Sequence, residues 1–270
     1  MIYVRDKGRM CNNILQYGHV YAFAREYGRR AISMRFAYKY PWFRISSTPG
    51  HSFLRYAMAK FAAARGWMPV VSYDTPGEIS PEKESRILAA RNVMVQGWEV
   101  RHYDLFLKYL DEIRALFAFT PAVEKAVAPL VAAGNGSMRL GLHIRRGDYA
   151  RWHGGRYLYS DAQYAAVAAS WARLHRGRKL TVYVCGNDPQ LDEDVYRRAL
   201  PDARWVFAKG NPAEDLCLLS HCDALIGAPS TFTLVASMYR DLPLYWIEDA
   251  AKEVNPADFG TFARLFRRIR

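Results

Sequence analysis

Arg139-Leu140-Gly141-Leu142-His143-Ile144-Arg145-Arg146-Gly147-Asp148-Tyr149 is the run from which the fold can be read. Its first six residues suit a strand buried on both faces, and charge and turn residues follow at once. Ser160 and Gln163 form a capping box ahead of an Ala-rich helical stretch, Tyr164 to His175, which Gly177 ends. Lys179 to Gly186 is the next strand, residues 190–200 a short helix, and Trp205 to Ala208 a third strand. Asn211-Pro212-Ala213-Glu214 combines an N-cap, a proline at the first helical position and an acid at the third. Ala224 to Gly227, a helix over Thr231 to Arg240, and Leu242 to Ile247 complete the series. Five short strands alternating with helices predict a doubly wound parallel sheet.

The first half repeats the theme. Strands are expected near residues 1–5, 31–36, 69–72 and 92–96, and helices near 11–27, 52–65, 82–90, 102–118 and 121–133. The small, flexible run Ala132 to Ser137 predicts a linker, giving domains at 1–135 and 136–270. The chain of 270 residues is 51% hydrophobic, too apolar for disorder. Its four cysteines include no Cys-x-x-Cys pair, so a zinc or redox centre has little support. It opens into Ile2-Tyr3-Val4 without an apolar leader and holds no run of 18 apolar residues. A soluble cytoplasmic protein is expected.

Lys and Arg number 38 against 26 Asp and Glu, a net charge of +12. An anionic partner follows: nucleic acid, a phosphorylated small molecule, or peripheral contact with an anionic membrane surface at its inner face. The densest basic run, Arg264 to Arg270, reads equally well as the solvated end of an amphipathic helix. No helix-turn-helix, zinc or aromatic-basic ribonucleoprotein signature is present, so nucleic acid is not the expected partner.

Three segments carry chemistry. His143 to Tyr149 sits at a strand's carboxyl end, where open α/β sheets bind ligands, and its guanidinium groups suit a phosphate clamp. The plainer alternative is a surface turn with an Arg-Asp pair. Gly227-Ala228-Pro229-Ser230-Thr231-Phe232-Thr233 joins a strand to a helix, where small residues, free N–H groups and hydroxyls favour an anion. Ser230 or Thr231 alone could be merely an N-cap. Gly8-Arg9-Met10-Cys11-Asn12-Asn13-Ile14-Leu15-Gln16-Tyr17 has neither dinucleotide nor phosphate-loop spacing. Its tandem amides suit a hydroxyl-rich ligand, although Asn12 could simply cap the helix.

Together these segments resemble glycosyltransferase family 11, the α-1,2-fucosyltransferases, and the wider group of α-1,6- and protein O-fucosyltransferases. The family's His-x-Arg-Arg-x-Asp is matched from His143 to Asp148, and its Gly-Gly-Leu-Gly-Asn-Gln-Met-Phe-Gln-Tyr resembles Gly8 to Tyr17. Asp215 to Cys222, followed by Pro229 to Thr233, resembles its Asp-Leu-x-Leu-Met-Ser-x-Cys and Asn-Ser-Thr-Phe-Ser loop. Val184-Cys185-Gly186-Asn187-Asp188 stands where the family has Phe-Ser-Asp-Asp. Arg9 and Cys11 replace family glycines, and Asn13 replaces a glutamine.

The resemblance implies a GT-B-like α/β fold: two facing Rossmann-like, doubly wound domains with a cleft between them. It implies inverting, metal-independent transfer of L-fucose from GDP-fucose to a glycan hydroxyl, with no cofactor. The alternatives are a transferase using another nucleotide sugar and a basic nucleic-acid-binding protein. Donor-binding residues would be His143 near the base, Arg145 at the β-phosphate, Arg146 as supporting cation or structural partner, and Ser230, Thr231 and Phe232. Arg145 and Asp148 would be catalytic, with Asp148 orienting Arg145 in preference to acting as base. Asp6, Asp148 and His19 are the base candidates. The acceptor would meet the N-terminal domain at Gly8, Asn12 and Asn13 and at the aromatic stretch Tyr38 to Phe43. No metal ligands are expected, because no Asp-x-Asp pair is suited to bridging a metal and a diphosphate.

Overall fold

The computed structural model describes residues 1–76, 80–186, 188 and 190–269. Asn187, within the Val184 to Asp188 motif, and Arg270, the end of the basic run, lie outside them. The chain forms two compact units, 1–120 and 121–270.

The first unit contains, in order, β1 (Ile2–Arg5), α1 (Met10–Glu26), β2 (Ala31–Ser33), α2 (Phe53–Ala64), β3 (Val70–Ser72), α3 (Pro81–Ala89), β4 (Val93–Gln96), α4 (Tyr103–Lys108) and α5 (Leu110–Leu116). The strands form one parallel sheet in the order β2-β1-β4-β3. Thirteen of the seventeen residues of α1 are buried, so it is enclosed on nearly every side and shows little polar face. Phe36, Phe43 and Phe117 meet edge to face beside it at centroid distances of 5.0–6.0 Å.

The second unit contains α6 (Pro121–Ala133), β5 (Met138–Ile144), α7 (Asp161–Arg173), β6 (Leu180–Gly186), α8 (Glu193–Ala199), β7 (Arg204–Phe207), α9 (Pro212–Ser220), β8 (Ala224–Gly227), α10 (Thr231–Met238), β9 (Leu244–Trp246) and α11 (Phe262–Phe266). Its parallel sheet runs β7-β6-β5-β8-β9. The expected capping box forms at Ser160–Gln163, the expected N-cap Asn211 forms a second one with Glu214, and the two fix where α7 and α9 begin.

One expectation changes. The units part at Thr120, fifteen residues before the expected boundary, because α6 is anchored in the second unit. Tyr183 donates its hydroxyl hydrogen to Leu130 O (2.8 Å) and Arg204 donates to Ala133 O (2.7 Å). The supposed linker is a tight turn closed by Ser137 Oγ on Gly134 O at 2.7 Å. Over its described residues the C-terminal basic run has the form of one of its two readings, the end of an amphipathic helix. Phe262, Leu265 and Phe266 are buried, and Arg268 pairs with Glu248.

The first unit contains one buried and two half-buried histidines whose pKa values are lowered chiefly by burial: His19 well below its ordinary value, and His51 and His102 to about 4. Their contribution to stability is complete above pH 6.5 and is lost as pH falls through their folded values. Asp6, raised to about 7 by burial, acts in the opposite sense and alone in that unit. In the second unit, His143, lowered to about 3, and His175, lowered by burial and then by Arg178, are opposed by Asp215, raised to about 7, so one histidine remains unopposed there against two in the first unit. Acidification from pH 7 to 5 therefore loosens the first unit before the second. Peptide-resolved hydrogen exchange, corrected for its intrinsic pH dependence, should show β1 and α1 losing protection first. Earlier loss in β5 and β6 would contradict the assignment.

Candidate functional site

In the second sheet the strand order reverses between β5 and β8, the place where open α/β sheets leave a crevice beyond their strand ends. His143 of β5 lies in register with Gly227 of β8, which sets the two anion-suited loops side by side. Close approach requires the glycine: a Cβ at residue 227 would come within 2.9 Å of His143 O.

The loops are joined by their side chains. The His143 imidazole stacks on Phe232 at 4.6 Å and 11°. Tyr149 donates its hydroxyl hydrogen to Pro229 O, and Tyr164 OH accepts the Arg145 N–H at 3.2 Å. Burial, then the Arg145 charge, holds His143 at about 3, so it is a neutral ring whose buried Nδ1 lacks a protein partner.

The paired arginines differ sharply. Arg145 donates from Nη2 to Asp148 at 2.7 Å and lies 5.3 Å from the Tyr149 ring centre, while its buried Nε has no partner. It is oriented and retains donor capacity. Arg146 is committed: Nε donates to Tyr159 O (3.0 Å), Nη1 to Asp188 (2.6 Å) and Nη2 to Asp161 (2.7 Å). Asp161 also accepts from Tyr196 OH at 2.6 Å. Of the two roles open to Arg146, the geometry favours the structural partner over a donor-binding cation.

Ser230 is the N-cap of α10, accepting from Thr233 N at 3.2 Å, and is buried. Trp246 Nε1 donates to Thr233 Oγ1 at 3.0 Å, which pins that turn. Thr231 and Phe232 follow, half-exposed, in the first turn, where backbone N–H groups and the helix dipole favour negative charge. Sequence reasoning quoted one neighbour, Asp215, without giving it a role in the site. Cys185 pairs in register with His143, so their side chains share a sheet face, and the Cys185 thiol lies 3.9 Å from Asp215 O in the first turn of α9. Burial, then Glu214, raises the Asp215 carboxyl to about 7, and its buried Oδ1 has no partner. Two buried polar atoms without a partner, His143 Nδ1 and Asp215 Oδ1, thus belong to neighbouring elements of this unit, and the available signal was the place of Asp215 at the head of the Asp215 to Cys222 motif.

The first unit presents Gly8 at φ +88°, where a Cβ would strike Asn12 Nδ2 at 2.6 Å. The N-cap of α1 is Arg9, so Asn12 is not the cap. Asn13 is fully buried, with Nδ2 donating to Tyr40 OH at 3.4 Å. Gln16 holds the loop, accepting from Lys7 N at 3.0 Å and donating to Lys7 O at 2.6 Å. In the aromatic stretch, Tyr40 and Phe43 are core, while Tyr38 is exposed and Trp42 half-buried. Of the base candidates, His19 is a core residue whose Nδ1 accepts the His102 backbone N–H at 3.0 Å. Asp148 is engaged by Arg145. Asp6 accepts from Ser33 at 2.6 Å and has a second, buried oxygen without a partner.

Among the described residues, one group is spaced for a metal: Glu124, Cys217 and His221, on α6 and at the end of α9. The chain's one Asp-x-Asp, Asp192 to Asp194, is spent on a helix cap, with Asp192 accepting from Asp194 N at 3.1 Å.

Residues 88–240 match the pattern of Glycosyl transferase family 11. Galactoside 2-alpha-L-fucosyltransferase SEC1 of Bos taurus is 27% identical over 250 residues, 87% of this chain and 63% of that protein. Galactoside alpha-(1,2)-fucosyltransferase 2 of Pongo pygmaeus is 26% identical over 85% of this chain and 66% of its own length. The chain thus spans somewhat less than two thirds of the length of these relatives. An arginine-to-lysine mutant of Arabidopsis thaliana FUT1 in complex with GDP superposes with a TM-score of 0.66 at 12% identity, covering 96% of this chain and 73% of that one. NodZ alpha-1,6-fucosyltransferase co-crystallized with GDP gives 0.59 at 13% identity, covering 96% and 97%. The fold is accordingly GT-B-like, with a parallel α/β sheet in each unit.

Arg146→Ala should leave Asp161 and Asp188 uncompensated and cost on the order of 3 kcal/mol of stability. Urea unfolding measures this. Unchanged stability with lost anion binding would return Arg146 to the role of a direct ligand.

Proposed function

This chain belongs to glycosyl transferase family 11, and we propose that it transfers L-fucose from GDP-fucose to a hydroxyl of a glycan acceptor. The observation that carries this is the convergence of Arg145, the His143–Phe232 stack and the start of α10 at the reversal of the second sheet. The nucleotide-bound neighbours support the donor class. Four free cysteines fit a reducing, cytoplasmic setting.

The acceptor oxygen attacks the anomeric carbon as the bond from that carbon to the β-phosphate oxygen breaks, inverting the centre. The acceptor proton is lost, and GDP departs with the bonding pair. Negative charge grows on the diphosphate. Arg145, prealigned by Asp148 and Tyr149, and the first turn of α10 stabilise it without reorganising at the moment of reaction. These fixed donors perform the neutralisation that a divalent ion performs elsewhere, which supports a metal-independent step.

The base is assigned to the face shared by His143, Phe232 and Asp215. Guanine carries two adjacent N–H donors on one edge, which match a carboxylate with an unused oxygen. Phe232 and His143 supply apolar walls. Gly8 and Asn12 are assigned to the acceptor. Asn13, enclosed and tied to Tyr40, shapes that loop from beneath. Of the base candidates, Asp6 has a raised carboxyl with an unused oxygen, and it receives the proton of the acceptor hydroxyl; because that transfer comes late, after the oxocarbenium-like state, it asks little basicity of Asp6.

Arg145→Ala should lower kcat by about 10²–10³, and Arg145→Lys should recover little, because a point charge does not reproduce the planar fork. Turnover at the original rate in a folded alanine variant would remove the phosphate-clamp role. Asp215→Asn should weaken GDP by about 10–100-fold, the worth of a charged hydrogen bond, while barely altering ADP. Equal losses for both nucleotides would displace guanine from that face. GDP should raise the melting temperature equally with and without a chelator. A shift abolished by chelator would overturn the metal-independent step.

A further inference from the structure

From Tyr27 to Tyr73 the sequence contains eight lysines and arginines and no aspartate or glutamate. This segment includes α2, whose inner face is formed by Ala59 with Tyr56, Ala62 and Ala63 against Met34, Met68 and Met94. A surface helix ordinarily turns polar residues outward. Here Leu54, Met58 and Phe61, spaced four and three residues apart, point outward, with 70%, 64% and 49% of their surfaces exposed. Phe53 is 64% and Trp67 73% exposed. Six of the nine large hydrophobic side chains exposed among the described residues fall between Tyr38 and Trp67. The exposed cations Arg55, Lys60 and Arg65 border this stripe, and Arg65 lies 5.0 Å from the Phe61 ring centre.

We propose that the outer face of α2, extended by Trp67, seats the protein on an anionic membrane surface. An apolar stripe edged by cations is the composition of a helix lying in the plane of a lipid interface: its side chains enter the acyl boundary while its cations meet anionic headgroups. Charge selects among occupants. A second copy of the chain would bring one acid-free basic segment against another, at a cost in like-charge repulsion. Nucleic acid would satisfy the cations but would give the aliphatic Leu54 and Met58 no partner surface. Acidic lipid satisfies both sets at once. Among the described residues no helix is long and apolar enough to cross a membrane, so the contact proposed is peripheral. It stands apart from the catalytic assignment, because neither Trp67 nor any residue of α2 belongs to the proposed donor or acceptor site.

Co-sedimentation with phosphatidylcholine vesicles, with and without phosphatidylglycerol, tests the proposal. Wild-type protein should partition at least about tenfold more strongly onto the anionic vesicles, and less as salt is raised. Lys60→Glu should weaken the partition by at least about fivefold, the worth of one interfacial cation. Leu54→Ser/Phe61→Ser should abolish it, with circular dichroism and the GDP-induced melting shift retained. Equal partition onto neutral vesicles, unchanged partition in either variant, or absence of binding would overturn the proposal. So would a wild-type dimer that Leu54→Ser/Phe61→Ser disperses.

Discussion

The register of His143 against Gly227 is the constraint on which the site depends. It places two strand ends side by side where the order of the sheet reverses, and backbone hydrogen bonds hold it from Leu140 onward. Once those ends are fixed, the loops beyond them have little freedom. Tyr149 crosses to Pro229, His143 lies flat on Phe232, and Ser230 starts α10 where its N–H groups face the same edge. A one-residue slip would reverse every side chain on β5, returning His143 to the opposite face.

Two adjacent arginines divide the work of placing positive charge there. A guanidinium in a partly enclosed crevice is useful only if it is held still, and holding it still consumes donors. Arg146 spends its donors on Asp161, Asp188 and Tyr159 O, tying the loop after β5 to the start of α7 and to the region beyond β6. Arg145 spends one on Asp148 and keeps others. The neutral His143 beside it adds no competing charge, because burial keeps it unprotonated. The first turn of α10 then provides a second, uncharged source of positive potential.

Most of the second unit was legible in the sequence because its signals are local. Capping boxes at Ser160 and Asn211, the β-branched and aromatic strands, and the strand-end motif each depend on neighbours within a few residues. What was not legible depends on distant partners. The attachment of α6 to β6 and β7 through Tyr183 and Arg204 shifted the boundary between the units. The commitment of Arg146 required Asp161 and Asp188, fifteen and forty-two residues away. Asp215 resembles an ordinary first-turn acid until its helix is packed against Cys185. Asn13 resembles an exposed amide until α1 is enclosed.

The proposed activity makes one chemical demand above others: the donor must carry guanosine diphosphate and fucose, and the leaving group must be neutralised by protein groups alone. Release of free nucleotide from GDP-fucose, GDP-mannose and UDP-sugars, measured in chelator with and without a panel of glycan acceptors, tests this most directly. The account predicts GDP release from GDP-fucose, accelerated by acceptor and insensitive to chelator, with little from the others. Turnover of a UDP-sugar in its place, or turnover of GDP-fucose only after a divalent cation is restored, would contradict it.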